Sequence, residues 1–150
     1  MRGKIMRYAI LMLSAGFLLM ILSLHNANAM HNLFNEMDAN HDGKVSLDEF
    51  SNNMAKSAFD GLDKNKDGFI TPSEWSGEDL LDEKEKAPEV FRAIDKQARK
   101  RFTYPDFSNY AEKYSNIEEA FMVMDKNKDG ILSPDEVTVR PLFRLFSVRY

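Results

Sequence analysis

Asp38-Ala39-Asn40-His41-Asp42-Gly43-Lys44-Val45-Ser46-Leu47-Asp48-Glu49 is the stretch on which the reading of this chain turns. Side-chain oxygens stand at positions 1, 3, 5, 9 and 12 of the twelve: Asp38, Asn40, Asp42, Ser46 and Glu49. Glycine holds position 6 and an aliphatic residue, Val45, position 8. The spacing returns at Asp63, Asn65, Asp67, Gly68, Ile70, Thr71 and Glu74, and again at Asp125, Asn127, Asp129, Gly130, Leu132, Ser133 and Glu136. All three segments read D-x-N-x-D-G-x-[VIL]-[ST]-x-x-E. The first six letters alone arise by chance in unrelated turns, whereas three full copies make a repeat.

The oxygens match a hard divalent cation. Calcium takes six to eight oxygen ligands, and a short chain can supply them only by wrapping around the ion. Alternate side chains at positions 1, 3 and 5 point inward, and glycine at position 6 permits the left-handed turn that closes the wrap. Position 7 offers its backbone carbonyl, here Lys44, Phe69 and Ile131. Position 9 (Ser46, Thr71, Ser133) acts through a water, and position 12 (Glu49, Glu74, Glu136) gives both carboxylate oxygens. Three calcium ions are therefore expected.

On these residues the chain resembles the EF-hand superfamily across about residues 31–140. The resemblance implies an all-α fold of helix–loop–helix hands that work in pairs, joined by short β-bridges at position 8. Val45, Ile70 and Leu132 suit a short strand there. The flanks agree. Phe34, Phe59 and Phe121 stand four residues before the loops, and Met37, Leu62 and Met124 one before. That interval of three places each pair on one helix face. Phe50, Trp75 and Val137 follow the loops, and all these residues read as core.

Pairing requires a partner for the third intact loop, and the same flank recurs at Phe91 and Ile94 before Asp95. Counting twelve from Asp95 ends at Asp106, with Phe102 at position 8 and Phe107 following. The skeleton is kept, but Arg99 replaces the acid at position 5, Lys100 the glycine at position 6, and Asp106 the glutamate. This reads as a degenerate hand without calcium, in which Arg99 or Lys100 stands in for the ion near Asp95 and Asp106. The expected organisation is a first EF-hand pair at 30–77, a linker at 78–88, a second pair at 89–140 with its first hand degenerate, and an apolar tail at 141–150. One globule and two lobes both fit. The tail either packs on the second pair or serves as a docking segment.

Composition narrows the rest. The 150 residues contain no cysteine, which excludes disulfides, thiol chemistry and zinc–thiolate sites. Residues 1–29 hold three of the 20 basic residues (Arg2, Lys4, Arg7) and none of the 24 acidic ones. The remainder carries 17 against 24, or −7, which argues against nucleic acid as a partner. The basic start, the apolar run from Tyr8 to Leu24 and the Ala27-Asn28-Ala29 ending make a secretory signal peptide cleaved after Ala29. The expected location is periplasmic or secreted, with no membrane contact after cleavage. An uncleaved anchor is the alternative, since this run of 17 residues, apolar apart from Ser14, Gly16 and Ser23, lies at the low edge of a bilayer span.

No nucleotide loop, zinc-protease helix or hydrolase elbow motif is present, so no enzyme is expected. The expected role is a calcium buffer or calcium-stabilised structural or interaction protein. The alternative is a sensor that exposes a groove containing Met37, Met54, Met122 and Met124 to a protein partner not identified by sequence.

Overall fold

Ser46 starts the principal helix. Its Oγ accepts from the Glu49 amide, while the Glu49 carboxylate accepts from the Ser46 amide and hydroxyl, a reciprocal capping box. Helix α2 (Leu47–Leu62) then runs 16 residues and buries Phe50, Met54, Ala55, Phe59 and Leu62 along one stripe. The computed structural model describes residues 32–75, 80–81, 84–137 and 140–146. The expected signal peptide lies outside these residues, as do parts of the linker and the last four residues of the tail. Among the described residues no helix is long and apolar enough to cross a membrane.

The other helices are α1 (residues 32–37), α3 (Ala87–Ile94), α4 (Tyr104–Tyr114) and α5 (Ile117–Met124). Pro88 and Pro105 sit in the first turns of α3 and α4, where the missing N–H costs nothing. Four two-residue strands lie inside the repeats: β1 (Val45–Ser46), β2 (Phe69–Ile70), β3 (Phe102–Thr103) and β4 (Ile131–Leu132). Numbering the loops 1 to 4 from residues 38, 63, 95 and 125, each strand belongs to one loop.

Their pairing corrects the sequence reading. β1 pairs antiparallel with β4, Val45 opposite Leu132, and β2 with β3, Ile70 opposite Phe102. Loop 1 thus joins loop 4, and loop 2 joins loop 3, in a nested order. The expected pairs at 30–77 and 89–140 do not form. The reason lies in α2, which is at once the outgoing helix of loop 1 and the incoming helix of loop 2. A 16-residue helix is about 24 Å long, so its two loops stand at opposite ends and cannot meet.

A second departure concerns the helix–loop–helix frame. Loops 1 and 3 lead into α2 and α4, but residues 72–74 and 134–136 make a single turn after β2 and β4. Among the described residues neither turn runs directly on into a helix.

Helix α2 packs against both α4 and α5, and the buried residues form one cluster drawn from all four loops. The flanking positions are core, as expected: Phe34, Phe59, Phe91 and Phe121 are buried, with Met37, Leu62, Ile94 and Met124 beside them. Every position-8 residue (Val45, Ile70, Phe102, Leu132) is fully buried. Phe50 meets Phe121 edge-on at 5.6 Å across the loop 1–loop 4 pair, and Phe59 meets Phe107 at 6.0 Å.

The segment expected as a linker carries Leu81, which is buried and bridges to Leu145 of the tail. Leu145 is itself fully buried and also bridges to Ser115. Asn116, at the break between α4 and α5, ties the tail down: its Nδ2 donates to the Leu142 carbonyl and its Oδ1 accepts from the Arg144 amide, each at 2.7 Å. The Tyr110 hydroxyl donates to the Phe146 carbonyl at 3.1 Å, and the Phe143 ring lies 6.0 Å from Phe107. The tail therefore packs on the core, and Leu145 is not presented as a docking segment.

Candidate metal centres

Asx turns build each intact loop. In loop 1 the Asp38 carboxylate accepts from the amides of Asp42 (3.1 Å) and Gly43 (3.0 Å), Asn40 Oδ1 from Asp42 (2.8 Å), and Asp42 Oδ1 from Lys44 (2.9 Å). Loop 2 repeats this with Asp63 from Asp67 and Gly68, Asn65 from Asp67, and Asp67 from Phe69. Loop 4 repeats it with Asp125 from Asp129 and Gly130, Asn127 from Asp129, and Asp129 from Ile131. Short Asx side chains bond to amides two to five residues on, which is why they hold such turns.

Glycine at position 6 has φ +80° in Gly43 and +82° in Gly68 and Gly130, a region that side chains disfavour. Position 4 also turns left-handed, at His41, Lys66 and Lys128. The position-12 glutamates reach back across each loop. Glu49, Glu74 and Glu136 accept from Asn40, Asn65 and Asn127 amides through one oxygen, and from Ser46, Thr71 and Ser133 through the other.

These donors favour the ionised form of each glutamate. The Ser46 amide holds Glu49 below the usual carboxylate range, and the Thr71 hydroxyl does the same for Glu74. The Ser133 amide and hydroxyl bring Glu136 down to about 2. Among the described residues no three acidic or histidine side chains are drawn together into a ready-made cluster. Backbone amides orient each acid instead. The donor set of each loop is nonetheless all oxygen, with two aspartates, an asparagine, a hydroxyl and a glutamate within twelve residues. That chemistry fits calcium and poorly fits a metal that prefers nitrogen or sulfur.

Loop 3 keeps the backbone and changes the chemistry. Ala98 (φ +51°) and Lys100 (φ +57°) take the left-handed positions 4 and 6 although neither is glycine. The Arg99 amide donates to Asp95 Oδ1 at 3.0 Å, as Asp42 does to Asp38. Asp106 accepts from the Thr103 amide and hydroxyl, as Glu49 accepts from Ser46. Asp106 is one methylene shorter than those glutamates, and the long Arg99 side chain reaches it instead, Nη2 to Oδ2 at 2.7 Å. Burial opposes ionisation of Asp106, but the Thr103 bonds and the Arg99 guanidinium outweigh it and hold the carboxyl below its ordinary range. Of the two residues expected to stand in for an ion, Arg99 makes the contact with Asp106.

The sequence reading missed the aromatic roof over loops 2 and 3. The Trp75 ring lies 5.7 Å from Phe102 and 6.1 Å from Phe91, and its Nε1 donates to the Ala87 carbonyl. The Arg101 guanidinium sits 4.1 Å from the Phe69 ring. The cross-loop pairing of β2 and β3 creates these contacts, so no local signal announced them.

Residues 31–55, 54–77 and 117–138 each match the family model described as EF hand. The matches cover loops 1, 2 and 4, and these are the three loops with a complete oxygen set.

Proposed function

We propose, for a chain that belongs to the EF-hand family, that it is an exported calcium binder which takes up three ions and uses them to hold its fold. Asp38, Asn40, Asp42, the Lys44 carbonyl, Ser46 and Glu49 form the first ligand set. The second is Asp63, Asn65, Asp67, the Phe69 carbonyl, Thr71 and Glu74. The third is Asp125, Asn127, Asp129, the Ile131 carbonyl, Ser133 and Glu136. The oxygen pattern, repeated bond for bond in three loops, carries this reading.

The nested pairing favours a structural or buffering role over a sensor. A sensor presents an apolar groove when its hands open. Here the apolar faces of all four loops meet in one cluster, and the tail covers part of it through Leu145 and Phe143. Met37, Met54 and Met124, groove residues in the sensor reading, are buried, and Met122 alone is exposed. Export rests on the sequence of residues 1–29. Intact mass of the native protein tests it: a chain beginning at Met30 is expected, and a mass that includes residues 1–29 overturns it. A hydrophobic dye tests the role. Dye fluorescence is expected to fall or stay level when calcium is added to chelated protein, and a calcium-driven rise would establish the sensor.

A further inference from the structure

We propose that Arg99 is a positioning residue for the calcium site of loop 2. In this account its guanidinium serves as the resident cation of loop 3, so that loop 2 fills beside an already shaped partner and independently of loops 1 and 4. The inference rests on the calcium reading and concerns how one site is prepared.

A continuous set of contacts leads from the ion pair to the site. Arg99 Nη2 holds Asp106 Oδ2 at 2.7 Å, and the same oxygen accepts from the Thr103 amide at 3.0 Å and hydroxyl at 2.8 Å. Thr103 is the strand residue opposite Phe69, whose backbone carbonyl is the position-7 ligand expected in loop 2. Phe69 is held a second time by the Arg101 guanidinium over its ring. Arg99 also lies between the two left-handed residues Ala98 and Lys100, with its own amide fixed to Asp95. One side chain thus closes the loop, fixes β3 and, through β3, sets the strand that carries a loop 2 ligand.

Among the described residues no basic side chain pairs with an acid of loop 1 or loop 4 in this way. In the calcium reading loops 1 and 4 each take an ion, and β1–β4 pairing and the Phe50–Phe121 contact join them. Filling one of them shapes the other, whereas loop 2 receives its shaping from a cation that is always present. Reciprocal coupling through a shared element is the general thermodynamic consequence.

Trp75 makes the test specific. It is the one tryptophan of the chain, follows Glu74 directly, and rests on Phe102 of loop 3. Calcium is added to the chelated mature chain while Trp75 fluorescence and calorimetric heat are recorded together. The expected result is a one-site Trp75 transition beside a cooperative two-ion phase. Arg99→Met is expected to move the Trp75 midpoint about two- to fivefold higher in calcium, the span that loss of a half-exposed ion pair gives, while the two-ion phase stays in place. Arg99→Lys is expected to keep the midpoint close to that of the unaltered chain. Asp106→Asn removes the pair from its other end and is expected to reproduce it should the arginine variant fold poorly. A general loss of stability would move all three ions, so selectivity for the Trp75 transition is the deciding readout. A Trp75 midpoint that neither variant moves, or a single cooperative step for all three ions, overturns the inference. A chain with no calcium response at all overturns the calcium reading beneath it.

Discussion

Loop 1 and loop 3 trace the same backbone around different charges. Gly43 at φ +80° and Lys100 at φ +57° occupy the same turn. Asp38 and Asp95 accept the same position-5 amide, and Glu49 and Asp106 cap the following helix through the same serine or threonine position. In loop 1 the carboxylates of Asp38, Asp42 and Glu49 are held by backbone amides, with no cationic side chain paired to them among the described residues. In loop 3 the cation is covalently attached to the chain. A non-glycine residue in the left-handed region costs roughly 1–3 kcal/mol when the surroundings must enforce it. Loop 3 therefore needs an internal clamp, and the Arg99–Asp106 pair with the Asp95 bond supplies one. The lesson is that the shape of this loop is separable from its metal chemistry.

The largest expected effect breaks the comparison at the metal. Each ion binds the native chain and not the unfolded one, contributing about 2.7 kcal/mol at a hundredfold excess over its dissociation constant. Three ions then contribute roughly 8 kcal/mol, comparable to the whole stability of an ordinary domain. Thermal melts with calcium and with chelator are expected to separate by tens of degrees. Coincident melts would place loops 1, 2 and 4 in the same metal-free class as loop 3.

A smaller effect tests what loop 3 contributes without metal. Phe102 is fully buried at its position 8 and touches Trp75, Phe91 and Phe107. Phe102→Ala is expected to cost about 3–5 kcal/mol, the usual range for a deleted core ring, in calcium and in chelator alike. Denaturant unfolding measures it. A loss confined to the calcium form would mean that loop 3 is held by its neighbour's metal and not by its own packing.

Glu49→Gln, Glu74→Gln and Glu136→Gln sharpen the comparison site by site. Each removes charge from the residue expected to give two oxygens, and each is expected to weaken one site by at least about tenfold, or ~1.4 kcal/mol. Asp106→Asn is expected to leave the calorimetric stoichiometry at three. A count of four in the unaltered chain, or loss of one ion on changing Asp106, would make loop 3 a fourth metal centre.

Much of this was legible because a calcium loop is a local object. Twelve consecutive residues hold the oxygens, the turn and the strand position, so Asp38 to Glu49 could be read without the fold. The degenerate loop was readable for the same reason, through Phe91, Ile94, Phe102 and Phe107. The pairing was not read correctly, because neighbours in sequence suggest neighbours in space. The chain between Glu49 and Asp63 allows only one helix, and a shared helix separates its loops, so the spacing contained the answer in a form that needed three dimensions to use. The tail contacts of Asn116 and Leu145 and the roof of Trp75 join residues far apart in sequence, and nothing local marks them.

The smallest effect concerns the Arg99–Asp106 pair alone, seen through the proton. Asp106 is held below its ordinary value of 3.8, since the Thr103 donations and the Arg99 guanidinium together outweigh burial. A carboxyl lowered by folding stabilises the native state fully above its unfolded value, and that contribution fades as pH falls through the folded one. The loss therefore falls below about pH 4, where unfolded chains take up the proton first. Because the pair is half-exposed, its share of stability is small, at most about 1 kcal/mol. The carboxyl resonance of Asp106 is the sensitive measurement, followed in chelated protein from pH 6 downward. Arg99→Met removes one of the lowering influences and leaves the Thr103 bonds in place, so the midpoint is expected to rise part of the way toward 3.8. An unchanged midpoint would mean that Arg99 does not hold Asp106 in solution. Loop 3 would then keep its shape by packing and backbone bonds alone, and its likeness to a metal-filled loop would stop at the backbone.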